Sequence, residues 1–334
     1  MVETWMVRAG EGGYLFDEFR QQSIVAIGWG DVGPATHITE KARLWEQVKM
    51  TYLEMRDQAV SMSAGQIWRF AREMKIGDRV VTYDPRARFY LCGIIAGECE
   101  WFSEAEPDEL SNRREVTWTH EKGRDQLSAV AKNSLGAIST IFLIPPAVSD
   151  ELWSSAPAEE SATEIVPDSK EAATSFDPTA DQIGELASEK IKDRIAKLSW
   201  SEMQQLVAAL LQAMGYKTTV SPAGSDRGKD ILASPDGLGF QAPRIAVEVK
   251  HRPGARIGAP EIRSFVGGRR PHECGLYVST GGFTQEAYYE AERSTIPLTL
   301  LDFEKLVAAV LTNYPAFDER TRQLLPLQQI YWPL

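Results

Sequence analysis

The stretch that most constrains this chain is Tyr216–Lys250, where charged residues interrupt apolar runs at strand spacing. Asp230 opens the short run Ile231-Leu232-Ala233, a turn signal Ser234-Pro235-Asp236-Gly237 follows, and Ile245-Ala246-Val247-Glu248-Val249-Lys250 alternates with period two. That period sends Glu248 and Lys250 to one face of a strand. A hairpin over the turn would bring Asp230 beside them. Two carboxylates and an ammonium on one sheet face can hold a divalent cation, Mg²⁺ or Mn²⁺, with Asp230 and Glu248 as its oxygen ligands. The cation would polarise a phosphate and lower the pKa of a water, and Lys250 would orient that water or offset developing charge. The competing reading is a solvated strand face with one Glu–Lys pair.

The flanking sequence decides between these readings through a resemblance. Upstream lies Trp200-Ser-Glu202-Met-Gln-Gln-Leu206-Val-Ala-Ala-Leu210-Leu211-Gln-Ala-Met214-Gly215-Tyr216. Downstream come Ile262-Arg-Ser-Phe265-Val-Gly267-Gly268, Val278-Ser-Thr280-Gly281-Gly282-Phe283-Thr284-Gln285-Glu-Ala287 and Ile296-Pro-Leu298-Thr-Leu300-Leu301-Asp302. In this order the segments resemble the Mrr-type restriction endonuclease domain. The resemblance implies the PD-(D/E)xK nuclease fold, an α/β domain with a mixed central sheet, and metal-dependent cleavage of double-stranded DNA. It also implies that Glu202 is an accessory acidic residue facing the metal, whereas the local pattern reads Glu202 as a first-turn charge behind an N-cap at Ser199 or Ser201. Many Mrr-type domains carry Gln where this chain has Glu248, and Glu is the commoner choice across the wider nuclease fold.

Charge is distributed unevenly. The formal net charge is −11, the acidic excess is concentrated in residues 149–180, and residues 181–334 balance. That charge argues against a protein that merely coats DNA, and its distribution leaves room for a local basic cluster. Arg252, Arg256, Arg263, Arg269 and Arg270 follow Lys250 closely and are candidates for phosphate contacts. Cys92, Cys99 and Cys274 are scattered without a Cys-x-x-Cys, which argues against a disulfide framework or a zinc site and for reduced thiols. No apolar run is long enough to span a membrane, and no secretory signal opens the chain, so a cytoplasmic protein is expected.

Residues 1–148 read as one domain of many short strands with few helices. Thr4–Ala9, Ser23–Gly28, Arg79–Tyr83, Phe89–Ile95, Val116–Trp118 and Thr140–Ile144 have strand character, with a hairpin over Asp84-Pro85-Arg86-Ala87. Lys41–Arg56 is a helix by its Leu44, Val48 and Leu53 spacing, and Ile67–Ala71 is a short one. A small β-barrel follows. The order Thr4–Arg8, Ile27-Gly28-Trp29-Gly30, Phe70–Tyr83 with Gly77-Asp78, and Gly93–Gly97 resembles the EVE and PUA-like base-binding barrels. That resemblance implies an aromatic pocket for a modified or flipped base. Trp29, flanked by glycines, falls near the stacking tryptophan, and Tyr83 ends the strand after Gly77-Asp78. Trp68 is a further candidate, although Trp5, Trp68, Trp101 and Trp118 read mainly as packing. Asp31 and Val32 stand where those barrels carry asparagine and basic residues.

The expected architecture is thus α+β in two domains. Residues 1–148 form the EVE/PUA-like barrel, 149–180 an acidic flexible linker, and 181–334 the nuclease domain. The loop Gly224–Lys229 could present backbone N–H groups to a phosphate. The function expected is restriction of foreign DNA carrying a modified base, by a homodimer whose two sites match the two strands. The alternatives are a non-cleaving sensor of DNA or a nucleotide, and an RNA-directed module.

Overall fold

In the computed structural model, which describes residues 2–103, 105, 110–155, 180–221, 230–270 and 272–331, the strands sort into two sheets. The chain divides into two units, Met1–Gln182 and Ile183–Leu334, each with its own sheet.

The first unit contains strands β1 (Thr4–Val7), β2 (Ile24–Ile27), β3 (Arg79–Asp84), β4 (Phe89–Ile95), β5 (Glu100–Trp101), β6 (Asn112–Gly123) and β7 (Ile141–Leu143). Its helices are α1 (Phe16–Gln22), α2 (Lys41–Thr51), α3 (Asp57–Trp68), α4 (Ala129–Ser134) and α5 (Pro146–Trp153). The strand order is β2-β6-β4-β3-β1-β7 with β5 added on β6, and all pairs except β1–β3 are antiparallel. β1 and β2 approach each other, but no ladder joins β2 to β7 among the described residues. The sheet is therefore curled rather than closed by hydrogen bonds.

Alternation along the strands makes two cores. Trp5, Val7, Val80 and Val116 enter one with Phe19, Ile67 and Phe70, while Met6, Val81, Tyr90 and Cys92 enter the other with Leu135 and Val148. Asp78 ties the parallel pair together: its carboxylate accepts from the Glu3 and Lys75 backbone N–H groups and from Trp5 Nε1 at 3.0–3.1 Å. Helix α3 runs on into a π-helical turn, Arg69–Glu73. Arg114, 1% exposed, donates to the carbonyls of Phe70, Gly97 and Ala71, so a buried cation satisfies acceptors that this turn leaves open.

The second unit contains β8 (Lys217–Val220), β9 (Ile231–Ser234), β10 (Arg244–Lys250), β11 (Glu273–Ser279) and β12 (Leu298–Leu301). Its helices are α6 (Ala180–Ile195), α7 (Trp200–Ala213), α8 (Ala259–Gly267), α9 (Gln285–Glu292), α10 (Phe303–Asn313) and α11 (Glu319–Leu324). The order is β12-β11-β10-β9-β8, parallel across β12-β11-β10 and antiparallel across β10-β9-β8. Val247, Val249 and Val278 face one core, built with Met203, Leu206 and Leu210 of α7 and Leu306 and Val310 of α10. Each such side chain fully buried contributes about 1.5–3 kcal/mol. The other face packs Tyr277 and Leu300 against Ile262 and Phe265 of α8 and Ala287 of α9. Gly275 lets α8 come down onto that face: a Cβ there would lie 2.7 Å from Phe265.

Several expectations change. The helix expected over Lys41–Arg56 ends at Thr51, and the short helix at Ile67–Ala71 is the end of a longer one beginning at Asp57. Residues 149–153 are not linker, because α5 buries Val148, Ser149 and Leu152. Residues 156–179 of the acidic segment, and the Gly224–Lys229 loop, lie outside the described residues. Among the described residues no helix is long and apolar enough to cross a membrane. Cys92 and Cys99 are buried free thiols, pushed up to about 12 and about 11 by that burial, and Cys274 is half-buried.

Candidate active site

The hairpin β9–β10 brings the three residues of the opening pattern together. Ile231 pairs with Val247 and Ala233 with Ile245. One residue further, the Asp230 N–H donates to Val247 O at 2.9 Å, and Asp230 Oδ2 accepts from the Val249 N–H at 2.7 Å. Asp230 therefore grips β10 on both sides of Glu248. Two positions along, the Lys250 ammonium meets Glu248 Oε1 at 2.6 Å, with Glu248 12% and Lys250 35% exposed. Partial burial lowers the local dielectric and strengthens this pair relative to one in water. The end of β10 is fixed as well: Lys250 O accepts from the Thr280 N–H at 3.1 Å, and His251 Nε2 bonds Leu198 O at 2.8 Å.

Across the parallel pair, Glu248 lies opposite Tyr277, which is 1% exposed. Burial raises the Tyr277 phenol strongly, and the nearby carboxylates Glu248, Glu261 and Asp230 raise it further against an opposing effect of Arg252. The phenol thus stays neutral, and its ring packs against Phe265 and Phe283. Sequence reading assigned Tyr277 only to a buried strand. Its strand-pair position beside Glu248 was the missing information, and nothing local carries it.

Among the described residues no group of three or more His, Cys, Asp or Glu side chains has metal-holding geometry. Two adjacent carboxylates, each with one oxygen already engaged, nevertheless suit Mg²⁺, which keeps several waters and is held through one or two carboxylates plus substrate phosphate. Asp230 and Glu248 would hold it.

Glu202 lies in the capped first turn of α7. Ser199 Oγ accepts from the Glu202 N–H, and Glu202 Oε2 accepts from the Ser199 N–H and hydroxyl at 2.7 Å. These bonds hold its carboxyl below the usual range. This is a capping box, the first-turn role that the local sequence pattern gives Glu202.

The arginines also separate. Arg263 is committed to Glu290 at 2.9 Å, while Arg252, Arg256 and Arg270 are exposed. Arg269 is half-buried, its guanidinium carbon 4.1 Å from the centre of the Phe265 ring. Burial lowers its pKa, and Glu248, Glu273 and Asp230 oppose that.

The aromatic candidates of the first unit do not form one pocket. Trp29 and Trp68 pack half-buried against the core on one side of the sheet, whereas Tyr83 packs on the other, 4.6 Å from Tyr90. Trp29 holds a left-handed backbone (φ 63°), uncommon for a large side chain. Its turn is pinned by Trp101 Nε1, which donates to Gly30 O, and Asn112 Nδ2, which donates to Gly28 O, both at 3.0 Å. Beside this turn opens a cleft of about 420 Å³ lined by Pro34, Thr36, His37, Cys99, Glu100, Trp101 and Phe102. Trp101 had been read as packing, and Phe102 had no reading.

Residues 195–310 match the restriction endonuclease family Mrr_cat, so the C-terminal unit carries a restriction endonuclease domain. Residues 5–144 match a family described as a domain of unknown function, DUF8426. The uncharacterized protein y4cE of Sinorhizobium fredii (strain NBRC 101917 / NGR234) is 29% identical over 133 residues, which is 38% of this chain and 33% of that protein. The chain thus spans about a third of that relative's length. Among solved structures, the MspJI restriction endonuclease in complex with a 27-mer oligonucleotide aligns at 13% identity and a TM-score of 0.34, over 74% of this chain and 62% of that one. The DNA modification-dependent restriction endonuclease AspBHI aligns at 14% identity and a TM-score of 0.34, over 81% and 74%.

Proposed function

We propose that this protein is a Mg²⁺-dependent DNA endonuclease of the modification-dependent restriction type. The observation that carries the reading is the convergence of Asp230, Glu248 and Lys250 on one face at the end of β10, inside a restriction endonuclease domain. A bound divalent cation would supply Lewis-acid polarisation of a phosphodiester and a water acidic enough to attack it. Asp230 and Glu248 would hold that cation. Lys250, braced by Glu248, would keep its ammonium where negative charge accumulates on the phosphate, and no reorganisation is needed at the moment of reaction.

Recognition of the base is the task we assign to the first unit. Its resemblance to base-binding barrels supports this, as does the cleft edged by Trp101 and Phe102 next to the Trp29 turn. Stacking a base on an aromatic ring contributes about 1–3 kcal/mol and extrusion costs a few kcal/mol, so contacts to a substituent on the base would decide binding. A homodimer would place one site on each strand.

The test is cleavage of matched duplexes carrying different cytosine and adenine modifications, with Mg²⁺ and with Mn²⁺. Cleavage confined to one modification supports the whole reading. Equal cleavage of all duplexes keeps the nuclease and removes the modified base. Absence of cleavage throughout favours a non-cleaving DNA-binding protein.

A further inference from the structure

Lys250 is the last residue of β10, and the ladder to β9 ends before it, with Val247 opposite Ile231. Strand ends open most easily unless something ties them. Two side chains with no part in the metal site meet at this end. Thr280, 1% exposed, closes on Lys250: its N–H donates to Lys250 O at 3.1 Å, and its hydroxyl lies 3.5 Å from the same oxygen. That hydroxyl is 3.3 Å from His251 Nδ1, and His251 Nε2 is 2.8 Å from Leu198 O, one residue before the α7 cap. A carbonyl only accepts, so Nε2 carries a proton. The ring therefore joins the start of α7 to the turn after β11, across the end of β10. The turn is tightly seated: a Cβ on Gly281 would collide with the backbone oxygens of Arg252 and Ala255, and the Ile257 N–H donates to Gly282 O at 3.0 Å.

We propose that Thr280 and His251 are positioning residues of the cleavage site, which hold the end of β10 so that the Lys250 ammonium stays against Glu248. This rests on the nuclease reading above. Glu248 and Lys250 share one face of the strand, while His251 continues the alternation of Val247 and Val249 to the other, where α7 packs. The clamp thus grips β10 from behind and touches neither phosphate nor metal. An ammonium on a flexible four-carbon stem is only as well placed as the backbone that carries it. Misplacing a reacting group by about 1 Å can cost about a hundredfold in rate. Valine at position 280 keeps the shape of the side chain and removes the hydroxyl that joins His251 to the Lys250 carbonyl.

The test uses the full-length chain in two measurements. In the metal-free protein, Thr280→Val should speed amide hydrogen exchange at Val249 and at position 280 about tenfold, because the strand end opens more often. In saturating Mg²⁺ the same variant should cleave duplex DNA about a hundredfold more slowly under single-turnover conditions, while binding Ca²⁺, a non-catalytic probe, as wild type does. Thr280→Ser, which restores the hydroxyl, should recover most of the rate. A residue that acts through Lys250 adds no further loss once that side chain is gone, so Thr280→Val in a Lys250→Ala background should cleave no more slowly than Lys250→Ala alone. If Lys250→Ala is too slow to follow, Lys250→Arg is the background. Losses that multiply would mean that Thr280 does not act through Lys250, and overturn the role. Unchanged exchange in Thr280→Val overturns the clamp, and wild-type cleavage by that variant overturns its service to Lys250. If Thr280→Val does not fold, His251→Phe takes its place. If the wild-type chain cleaves nothing in Mg²⁺ or Mn²⁺, the nuclease reading fails and the positioning role falls with it, while the exchange measurement still decides the clamp.

Discussion

The two units treat their chemistry-bearing residues in opposite ways. In the second, Asp230, Glu248 and Lys250 lie apart in sequence and meet, because antiparallel pairing of β9 with β10 leaves no freedom about which side chains share a face. In the first, Trp29, Trp68 and Tyr83 were expected to share a pocket, and the sheet sends Tyr83 to the far side. The difference lies in what each residue type can do elsewhere. A half-buried carboxylate has few stabilising alternatives to a partner or a cation. An aromatic ring is equally at home in a core, so its presence near a motif says little about its role.

The comparison can be broken most forcefully at the hairpin. Asp230→Ala or Glu248→Ala removes a hard oxygen ligand and with it several kcal/mol of charge stabilisation, so single-turnover cleavage should fall about a thousandfold or more. Circular dichroism should show an unchanged fold, and near-wild-type cleavage would remove both residues from the site. Within the first unit, the largest effect should be on stability. Arg114→Met orphans the carbonyls of Phe70, Gly97 and Ala71, and hydrogen bonds to a buried charged group are each worth about 1.5–3 kcal/mol. Denaturant unfolding should show a loss of about 3 kcal/mol, and a loss under 1 kcal/mol would mean that water replaces the guanidinium.

Smaller effects sharpen the contrast. Trp101→Ala should cost about tenfold in preference for a modified duplex, the lower end of what stacking contributes, while Tyr83→Ala on the opposite face should leave that preference intact. Equal losses in the two variants would restore the single pocket. Ser199→Ala removes the cap of α7 and should cost about 1 kcal/mol in stability while single-turnover cleavage holds, as expected if Glu202 serves the cap rather than the metal.

The mildest test concerns the loop joining β9 to β10. Desolvation pushes the Asp236 carboxyl upward, but hydrogen bonds from Ser234 and from the Phe240, Gly239 and Gln241 N–H groups outweigh it and bring the pKa to about 2 from an ordinary 3.8. A depressed carboxyl stabilises the fold above its unfolded pKa and loses that contribution as pH falls through the folded value. Asp236→Asn should therefore melt below wild type at neutral pH, with the gap closing as pH approaches 2. A gap independent of pH would assign the effect to shape.

Much of the second unit was legible because its signals are local and periodic. The period-two run Ile245–Lys250, the turn before it and the capped helix at Ser199 each specify a conformation without reference to distant chain. Tyr277 was not legible in the same way, since its place beside Glu248 is set by strand order. In the first unit, α3 was underestimated because its middle, Ser61–Gln66, lacks a large apolar stripe, and burial there comes from packing against α2 and the surrounding core. The helix α5 was hidden in an acidic, linker-like composition, where only Val148, Leu152 and Trp153 mark an apolar side.

The Asp230–Glu248 pair, joined across β9 and β10, is proposed to make DNA cleavage depend on a divalent cation. The most direct measurement is cleavage of a duplex by the full-length chain in EDTA, followed by re-addition of Mg²⁺, with Asp230→Asn in parallel. The wild-type chain should fall silent in EDTA and recover as Mg²⁺ rises, and Asp230→Asn should recover at no concentration. Cleavage that persists in EDTA, or an Asp230→Asn variant that recovers like wild type, would contradict the claim.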